Sequence, residues 1–168
     1  AEALIAAAGR VGRYPLRDQT LLLLMYRRAL RVSEAITLTW AHVDLDDGWI
    51  HVRRLKGGLT TAQPLSQREH DALIALRARY SQAEVLFPSE RAQRLSRGAV
   101  NRIVGRAGEV AELGLKVHPH MLRHGCGYAL VNRGVDVRKI QVLMGHARIE
   151  STVAYTLLDQ RRLEGIWD

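Results

Sequence analysis

The sequence predicts one domain that is mainly α-helical with a small antiparallel β-sheet, an α+β fold. Apolar residues recur at helical spacing over most of the chain, and one short stretch carries turn residues between β-favouring segments. A chain of 168 residues with 47% hydrophobic side chains can bury one substantial core. Because no repeat, low-complexity run or Ser/Pro-rich linker divides the chain, residues 1–168 are expected to form a single domain.

The first predicted elements are two helices joined by a sharp turn. Residues 18–30 carry apolar side chains without Gly or Pro, which favours a helix that is largely buried on one side. Ser33 can cap a second, short helix with Glu34 in its first turn. Arg31 is therefore expected in the turn, which would hold its long side chain at a fixed point.

A β-hairpin is predicted next. An acidic turn at 44–48 precedes a strand at 49–54, and a returning strand follows at 59–65. Pro64 restricts the returning strand to an edge or an end, because proline cannot donate a ladder hydrogen bond. Lys56, which two glycines follow, is expected at or next to the hairpin tip.

The rest of the chain is predicted to be helical apart from one extended segment, from its amphipathic spacing and its helix-ending glycines. The predicted elements are helices at 67–80 and 96–113, an extended segment at 85–88, and helices from His120 onward that break at Gly134 and Gly145. The core is expected to include Trp40, Trp49 and Cys126.

The charge of the chain favours a polyanionic partner, nucleic acid first. The sequence has 25 Lys and Arg against 17 Asp and Glu, a net charge of +8 and a pI near 10.4. Its one cysteine allows no intrachain disulfide, which is typical of a reducing cytoplasmic setting. The apolar stretch at 3–8 is too short to span a bilayer. These features predict a cytoplasmic protein associated with the nucleoid.

Reactive residues in the last third of the chain fit chemistry at a phosphodiester. His120 and Arg123 are three residues apart, so a helix brings both to one face. An arginine binds phosphate oxygens through two parallel N–H groups and stays charged. Tyr155 lies nine residues after His146, which leaves room for a turn and one short helix. Because a tyrosine needs an imidazole or a cationic pocket to ionise, its hydroxyl is expected to fold back toward His146.

Four sequence blocks, in this order and spacing, resemble the motifs of the tyrosine recombinase or phage integrase family. They are Ala-Leu-Arg-Val-Ser-Glu at 29–34, His-Met-Leu-Arg-His at 120–124, Met-Gly-His at 144–146, and Tyr155. The resemblance covers roughly residues 21–155 and implies the catalytic-domain fold of that family. Arg-Arg-Leu-Lys-Gly, His-Pro-His-Met-Leu-Arg-His-Gly-Cys-Gly-Tyr and the ending Gly-Ile-Trp-Asp resemble the fimbrial phase-variation DNA invertases most.

The resemblance implies a site that cleaves and rejoins DNA without a metal, a cofactor or ATP. Its catalytic residues would be Arg31, Lys56, His120, Arg123, His146 and Tyr155. The two arginines would bind the non-bridging phosphate oxygens, and His146 would donate a hydrogen bond to the phosphate. Tyr155 would form a 3′-phosphotyrosyl bond, Lys56 would protonate the departing 5′ oxygen, and His120 would act as a general acid and base. Glu34 would hold Arg31 in place.

Three positions depart from the family pattern. Ala29 and Leu55 stand where glycine is common, and Met144 stands where leucine is common. None of them removes a reactive group. The change at Met144 nearly conserves volume, whereas those at Ala29 and Leu55 are expected to alter local turns, the second one next to Lys56.

Further arginines are candidates for contacts to the DNA backbone. Arg27, Arg28, Arg53 and Arg54 are close in sequence to catalytic candidates, so contacts to phosphate are expected for them. A second set either follows the DNA backbone or forms a solvated face, and the sequence leaves both interpretations open. This set is Arg91, Arg94, Arg97, Arg102 and Arg106.

A metal site is the alternative interpretation of the histidines. His120 and His124 lie four apart on a predicted helix, with His118 nearby. Apart from Cys126, no carboxylate or cysteine close in sequence completes a ligand set, so the phosphate interpretation is favoured. His124 is instead expected to be a structural histidine whose ring bonds the backbone, and His118 to lie where the helix begins.

The expected partner is a double-stranded DNA recombination site, bound by a tetramer of the protein. The rival functions are a DNA-binding module of the same fold that no longer cuts, a relaxing enzyme like the type IB topoisomerases, and a zinc-dependent hydrolase. Family members carry an N-terminal domain that clamps the DNA, and the chain is expected to lack it. Residues 157–167 are expected to form a helix that packs on its own domain or on a neighbouring subunit.

Overall fold

Helices are the main secondary structure of the described residues, as the sequence predicts. The structure is a computed structural model that describes residues 1–54 and 60–156. Its helices are α1 (Glu2–Ala8), α2 (Pro15–Arg27), α3 (Val32–Ala35), α4 (Gln67–Arg79), α5 (Arg97–Val110), α6 (His120–Asn132), α7 (Val137–Met144) and α8 (Glu150–Val153), with a 3₁₀ turn at Trp40–His42. Its strands are β1 (Val43–Asp44), β2 (Trp49–Val52) and β3 (Thr61–Pro64). The predicted α+β class is confirmed.

The three strands form one antiparallel sheet in the order β1-β2-β3. Val43 pairs with Ile50, and Trp49 pairs with Pro64 at the end of the outer strand β3. The prediction that Pro64 lies at an edge or an end is confirmed. Strand β1 was not predicted, because two residues are too few to show an alternating pattern. The hairpin tip, with Lys56, lies outside the described residues.

Most buried apolar side chains form one cluster, which we call the main cluster. It joins α1, α2, β2, α4 and α5 through residues such as Ile5, Leu21, Ile50, Leu73 and Val104. Helix α2 lies at its centre, because every side chain from Leu21 to Met25 is buried. A helix that is buried on nearly all sides carries little amphipathic signal. Helix α1, which packs against α2 and α5, was not predicted.

A smaller group of buried residues, which we call the second cluster, lies between α6, α7 and the turn after α2. Its members are Ala29, Cys126, Val131, Ile140, Met144 and Tyr155. The predicted burial of Cys126 is confirmed. The predicted burial of Trp49 is wrong: the side chain is 41% exposed because it points to the open face of β2. Trp40 is half-buried against the main cluster.

One predicted helix boundary is wrong, and another is confirmed. The N-cap of α3 is Arg31, not Ser33, because the carboxylate of Glu34 accepts the hydrogen bond from the Arg31 backbone N–H. Helix α7 ends at Gly145, whose φ of +63° is the left-handed conformation that glycine favours. Among the residues that the structure describes, no helix is both long enough and apolar enough to cross a bilayer.

Candidate active site

The turn after α2 presents Arg31. Ala29 is fully buried with φ of +49°, a left-handed conformation that reverses the chain within a few residues. This is one of the positions where the family more often has glycine. The chain then enters α3 at Arg31, whose Nη1 donates to Glu34 Oε1 at 2.9 Å. Arg31 keeps 27% of its side chain exposed, so its guanidinium is paired on one side and open to a ligand on the other.

Glu34 is the acceptor around which this turn is organised. It is 2% exposed, and it accepts hydrogen bonds from the Arg31 backbone N–H at 2.9 Å and from Arg54 Nη1 at 2.8 Å, besides the Arg31 side chain. Burial raises the pKa of Glu34, but the hydrogen bonds from Arg31 and Arg54 and the charge of Arg54 outweigh it, so the pKa is lowered overall. Glu34 is therefore ionised at neutral pH and holds two arginines.

Arg123 lies in the first turns of α6 and connects two parts of the site. Its side chain is 1% exposed, with Nη1 donating to the carbonyl of Ala29 and Nη2 to the carbonyl of Met144 at 2.8 Å. Burial, followed by the charges of Arg31 and Arg54, lowers the pKa of Arg123 to about 10. The guanidinium is therefore still protonated at neutral pH. It ties the turn of Arg31 to the end of α7.

His120 and His124 stand one turn apart at the beginning of α6. Their rings meet edge to face with centroids 4.5 Å apart. Burial, then the neighbouring His124 and Arg123, lowers the pKa of His120. A neutral His120 ring has one nitrogen that accepts a proton and one that donates, as general acid and base catalysis requires.

His146 follows the glycine that ends α7. Its Nδ1 is hydrogen-bonded to the hydroxyl of Thr152 in α8 at 2.8 Å, so Nε2 is the nitrogen left to meet another partner. Burial and the cations Arg123, Arg31 and Arg54 lower the pKa of His146 to about 4. The ring is neutral at physiological pH, with its orientation fixed by Thr152.

Tyr155 follows α8 and folds back against α6. Its ring is parallel to that of His146, with an interplanar angle of 3° and centroids 6.5 Å apart. It also rests on Gly127, where a Cβ would come within 2.9 Å of the ring. The side chain is 6% exposed. The sequence interval predicted one short helix between His146 and Tyr155, and α8 is that helix.

The hydroxyl of Tyr155 is hydrogen-bonded to Nδ1 of His124 at 2.9 Å. The prediction that the His124 ring bonds the backbone is wrong, because Tyr155 occupies its Nδ1 instead. Burial raises the pKa of Tyr155, and the charge of Arg123 opposes that rise in part. The tyrosine is therefore a protonated hydroxyl at neutral pH, and the imidazole bonded to it is neither of the two histidines that the sequence analysis assigned to catalysis.

The structure brings five of the six predicted catalytic residues to one place. They come from the turn after α2, the beginning of α6, the end of α7 and the residue after α8, and they are Arg31, His120, Arg123, His146 and Tyr155. Glu34 lies against Arg31 as expected. The sixth residue, Lys56, and the predicted C-terminal helix at 157–167 lie outside the described residues. Within the described ranges, no three metal-ligating side chains converge, so the alternative of a histidine metal site gains no support.

Two of the four arginines that were predicted to contact DNA are buried. Arg28 is 6% exposed and pairs with Glu69, and Arg54 is 3% exposed and pairs with Glu34. This corrects the prediction for both, because their donors face carboxylates and carbonyls inside the protein. Burial raises the pKa of Glu69, but the bonded Arg28 outweighs it and the net shift is downward.

The other arginines remain candidates. Arg27 is half-buried and Arg53 is exposed. The second set lies on the surface before and along α5, and all five side chains are exposed, a placement that fits both a DNA contact and a solvated face. These residues are Arg91, Arg94, Arg97, Arg102 and Arg106.

Comparisons with known proteins agree with the site. The phage integrase family pattern matches residues 1–162. The type 1 fimbriae regulatory protein FimE of Escherichia coli K12 is 42% identical over 158 residues, 90% of this chain and 80% of that protein. The tyrosine recombinase XerC of Pseudomonas fluorescens Pf-5 is 38% identical over 156 residues, 90% of this chain and 52% of that protein.

Solved structures have the same fold. The XerA recombinase superposes with a TM-score of 0.81 at 30% identity, over 96% of this chain and 59% of that one. The XerH site-specific recombinase, in a pre-cleavage complex with its difH substrate, gives 0.84 at 23% identity, over 99% and 52%. The chain thus spans little more than half of the Xer proteins and most of FimE. It belongs to the phage integrase family, and it is a tyrosine recombinase.

Proposed function

We propose that this chain cleaves and rejoins DNA strands through a covalent 3′-phosphotyrosyl bond at Tyr155, without a metal ion or ATP. The observation that supports this most is the position of the Tyr155 hydroxyl in a pocket shared with Arg123, His124 and His146. A buried tyrosine that only packs has no need of two imidazoles and an arginine around it, because each buried cation costs desolvation free energy.

In the proposed cleavage step, Oη of Tyr155 forms a bond to phosphorus and the bond from phosphorus to the 5′ oxygen breaks. The phenol proton passes to an imidazole, and His124 is already hydrogen-bonded to the hydroxyl. The 5′ oxygen leaves with a proton from an acid, for which Lys56 is the candidate by family resemblance. The reverse attack of a 5′ hydroxyl on the phosphotyrosine reseals the strand. The covalent bond conserves the energy of the phosphodiester, so no ATP is consumed.

Positive charge on the phosphate is assigned to Arg31 and Arg123. Charge on the non-bridging oxygens grows during the attack, and cations held in place before the reaction stabilise it at little reorganisation cost. Arg123 is held by two carbonyls and Arg31 by Glu34. His146 is assigned the role of a neutral donor to the phosphate, with its ring fixed by Thr152. His120 is assigned to proton transfer.

The proposed substrate is a double-stranded DNA recombination site. The net charge of +8 supports a polyanionic ligand, and the solved structure of XerH holds its own difH substrate. We further propose that four copies assemble on two sites, because an exchange of strands requires a nucleophile at each of four cut positions.

The test is covalent capture from a library of DNA sequences. A library of nicked suicide duplexes with a randomised central segment is incubated with the protein in EDTA, denatured, and separated by size. The wild type is expected to form a protease-sensitive DNA adduct, and Tyr155→Phe to form none. Tyr128→Phe is the matched control, because Tyr128 meets Tyr155 edge to face at 5.1 Å but is 38% exposed.

Mass spectrometry of the trimmed adduct is expected to place the nucleotide on Tyr155. An adduct that persists in Tyr155→Phe would reject the proposed nucleophile. Sequence-selective binding without any adduct would favour a DNA-binding module of the same fold that no longer cuts.

A further inference from the structure

Arg54, two residues after β2, is buried next to the active site and has no role in the mechanism above. Its side chain is 0% exposed, although a guanidinium is among the costliest groups to remove from water. The following argument rests on the proposed function, because it concerns how the proposed catalytic groups are held.

One side of the Arg54 guanidinium holds the turn of Arg31. Nη1 donates to Glu34 Oε2 at 2.8 Å and to the carbonyl of Ala29 at 3.4 Å, and Nη2 donates to the carbonyl of Arg28 at 2.9 Å. The two carbonyls lie just before Arg31, and Glu34 lies in α3 just after it. Arg54 therefore bonds the backbone before Arg31 and the side chain of Glu34 after it.

The other side holds the turn that precedes His146. Nη2 of Arg54 also donates to the carbonyl of Leu143, at the end of α7. Gly145 packs directly on the same side chain: a Cβ there would clash with Cγ of Arg54. Two features therefore favour glycine at position 145: its φ of +63° and its close contact with the Arg54 side chain.

Arg54 and Arg123 connect the same two turns through neighbouring carbonyls. Arg123 joins the carbonyls of Ala29 and Met144, and Arg54 joins those of Arg28 and Ala29 to that of Leu143. Both arginines are buried, but only Arg123 is assigned to the phosphate in the proposed mechanism. A flat guanidinium with five donors can satisfy such a set of acceptors, and a lysine ammonium with three cannot match its geometry.

We propose that Arg54 is a positioning residue: it fixes the distance between the turn of Arg31 and the turn of His146, so that Arg123 and His146 converge on the phosphate. The binding of DNA does not involve it. Loss of Arg54 should therefore slow the cleavage step and leave DNA affinity unchanged.

The test compares Arg54→Met and Arg54→Lys with Arg28→Met in the full chain. Arg28→Met is the matched control, because Arg28 is also a buried arginine paired with a buried glutamate, yet its side chain donates to Glu69 and Gln63 and not to the carbonyls that Arg54 holds. The substrate is a duplex recovered by covalent capture with the wild type. Single-turnover adduct formation, DNA affinity by gel shift, and amide hydrogen exchange are measured for each variant.

We expect Arg54→Met to slow adduct formation by about 10- to 100-fold at unchanged DNA affinity, since small displacements of catalytic groups have effects of this size. Arg54→Lys, which keeps the charge for Glu34, should fall between that variant and the wild type. Amide exchange at 29–34 and 143–146 should accelerate in Arg54→Met and stay at the wild-type rate in Arg28→Met.

Equal slowing of cleavage in Arg54→Met and Arg28→Met would overturn the proposal, since both would then act only through stability. Faster exchange in Arg54→Met with normal cleavage would overturn it as well. If Arg54→Met does not fold, Arg54→Lys decides by the same comparison. A wild type that forms no adduct would reject the proposed function instead, and the exchange data would still show whether Arg54 holds the two turns.

Discussion

The main cluster and the second cluster differ in size and in their relation to the proposed active site. The main cluster joins α1, α2, β2, α4 and α5 and is built almost entirely of aliphatic side chains. The second cluster is far smaller, and Tyr155, the proposed nucleophile, is one of its members. Carbonyls from two of its other residues, Ala29 and Met144, hold Arg123.

Local stability follows buried apolar area, so the two clusters should open at different free energies. The smaller second cluster is therefore expected to open first. This would suit the proposed reaction, in which a DNA phosphate must reach both Tyr155 and Arg123. The main cluster is expected to stay closed and to hold the segments that carry the catalytic residues.

The largest expected difference comes from equal truncations in the two clusters. Leu22→Ala in α2 should lower the free energy of unfolding by about 3–5 kcal/mol, and Ile140→Ala in α7 by about 2 kcal/mol, because the smaller cluster can close around the space more easily. Both residues are 0% exposed. Urea unfolding measures both values. Adduct formation per folded molecule should fall in Ile140→Ala and stay unchanged in Leu22→Ala. The reverse order would contradict the proposed difference between the two clusters.

A smaller effect is expected at Gly127, on which the Tyr155 ring packs. Gly127→Ala places a methyl group 2.9 Å from that ring, and such overpacking costs about 1–3 kcal/mol and displaces the tyrosine. Gly105→Ala in α5 is the control, because no atom lies within 4 Å of its Cβ position and alanine favours a helix by about 1 kcal/mol over glycine. Thermal unfolding and covalent capture should show loss in the first variant and a gain in stability in the second. Full activity of Gly127→Ala would show that Tyr155 reaches its active position without packing on Gly127.

Acid should destabilise the fold through His146, whose ring lies parallel to that of Tyr155 in the second cluster. The pKa of His146 is lowered to about 4 in the folded chain from about 6.5 in an unfolded one, so the unfolded state binds more protons between these values. The stability that neutral His146 contributes is thus complete above pH 6.5, and this contribution is lost as the pH falls toward 4. After a discount for solvent, the loss by pH 5 is about 1 kcal/mol.

Urea midpoints at pH 7.5 and pH 5 measure this loss in the wild type, in His146→Asn and in His51→Asn, an exposed position of β2. The loss should shrink in His146→Asn and stay unchanged in His51→Asn. An identical acid response in all three proteins would argue against a neutral, half-buried His146.

The smallest change is expected at Ala29. Ala29→Gly relieves the left-handed backbone, but it adds freedom to the unfolded chain and removes a buried methyl group. These terms nearly cancel, so the free energy of unfolding should change by less than about 0.5 kcal/mol. Ala29→Val should cost about 2 kcal/mol or more, because a β-branched residue fits neither the φ of +49° nor the space. A large loss in Ala29→Gly would show that the methyl group itself holds the turn.

The sequence was most informative where spacing alone decides position. The interval from His120 to Arg123 placed both at the beginning of one helix, and the pattern around Arg31 predicted its turn. Strand β1 and helix α1 were missed, because the first is too short for periodicity and the second is an alanine-rich segment buried by packing. The hydrogen bond between Tyr155 and His124 joins residues 31 apart in sequence, and no local pattern predicts it.

The misassignment of Arg54 could have been avoided. Ile50 and Val52 point into the core, and the alternation of a β-strand continues inward at Arg54, whereas Arg53 points outward. The charge of Arg54 suggested a contact to DNA, whereas the periodicity of the strand correctly indicated a buried side chain. Arg28 carried no such signal, since its burial depends on Glu69, which comes from a helix 41 residues later.

The buried thiol of Cys126 makes this chain convenient for site-directed labelling. It is the one cysteine of the sequence, it is 4% exposed, and burial raises its pKa to about 11. The thiolate that reacts with maleimides is therefore scarce and shielded. A cysteine introduced at an exposed position such as Val153 would take a fluorophore or spin label alone, without removal of the native residue, and would report the movement of the tyrosine segment as DNA enters.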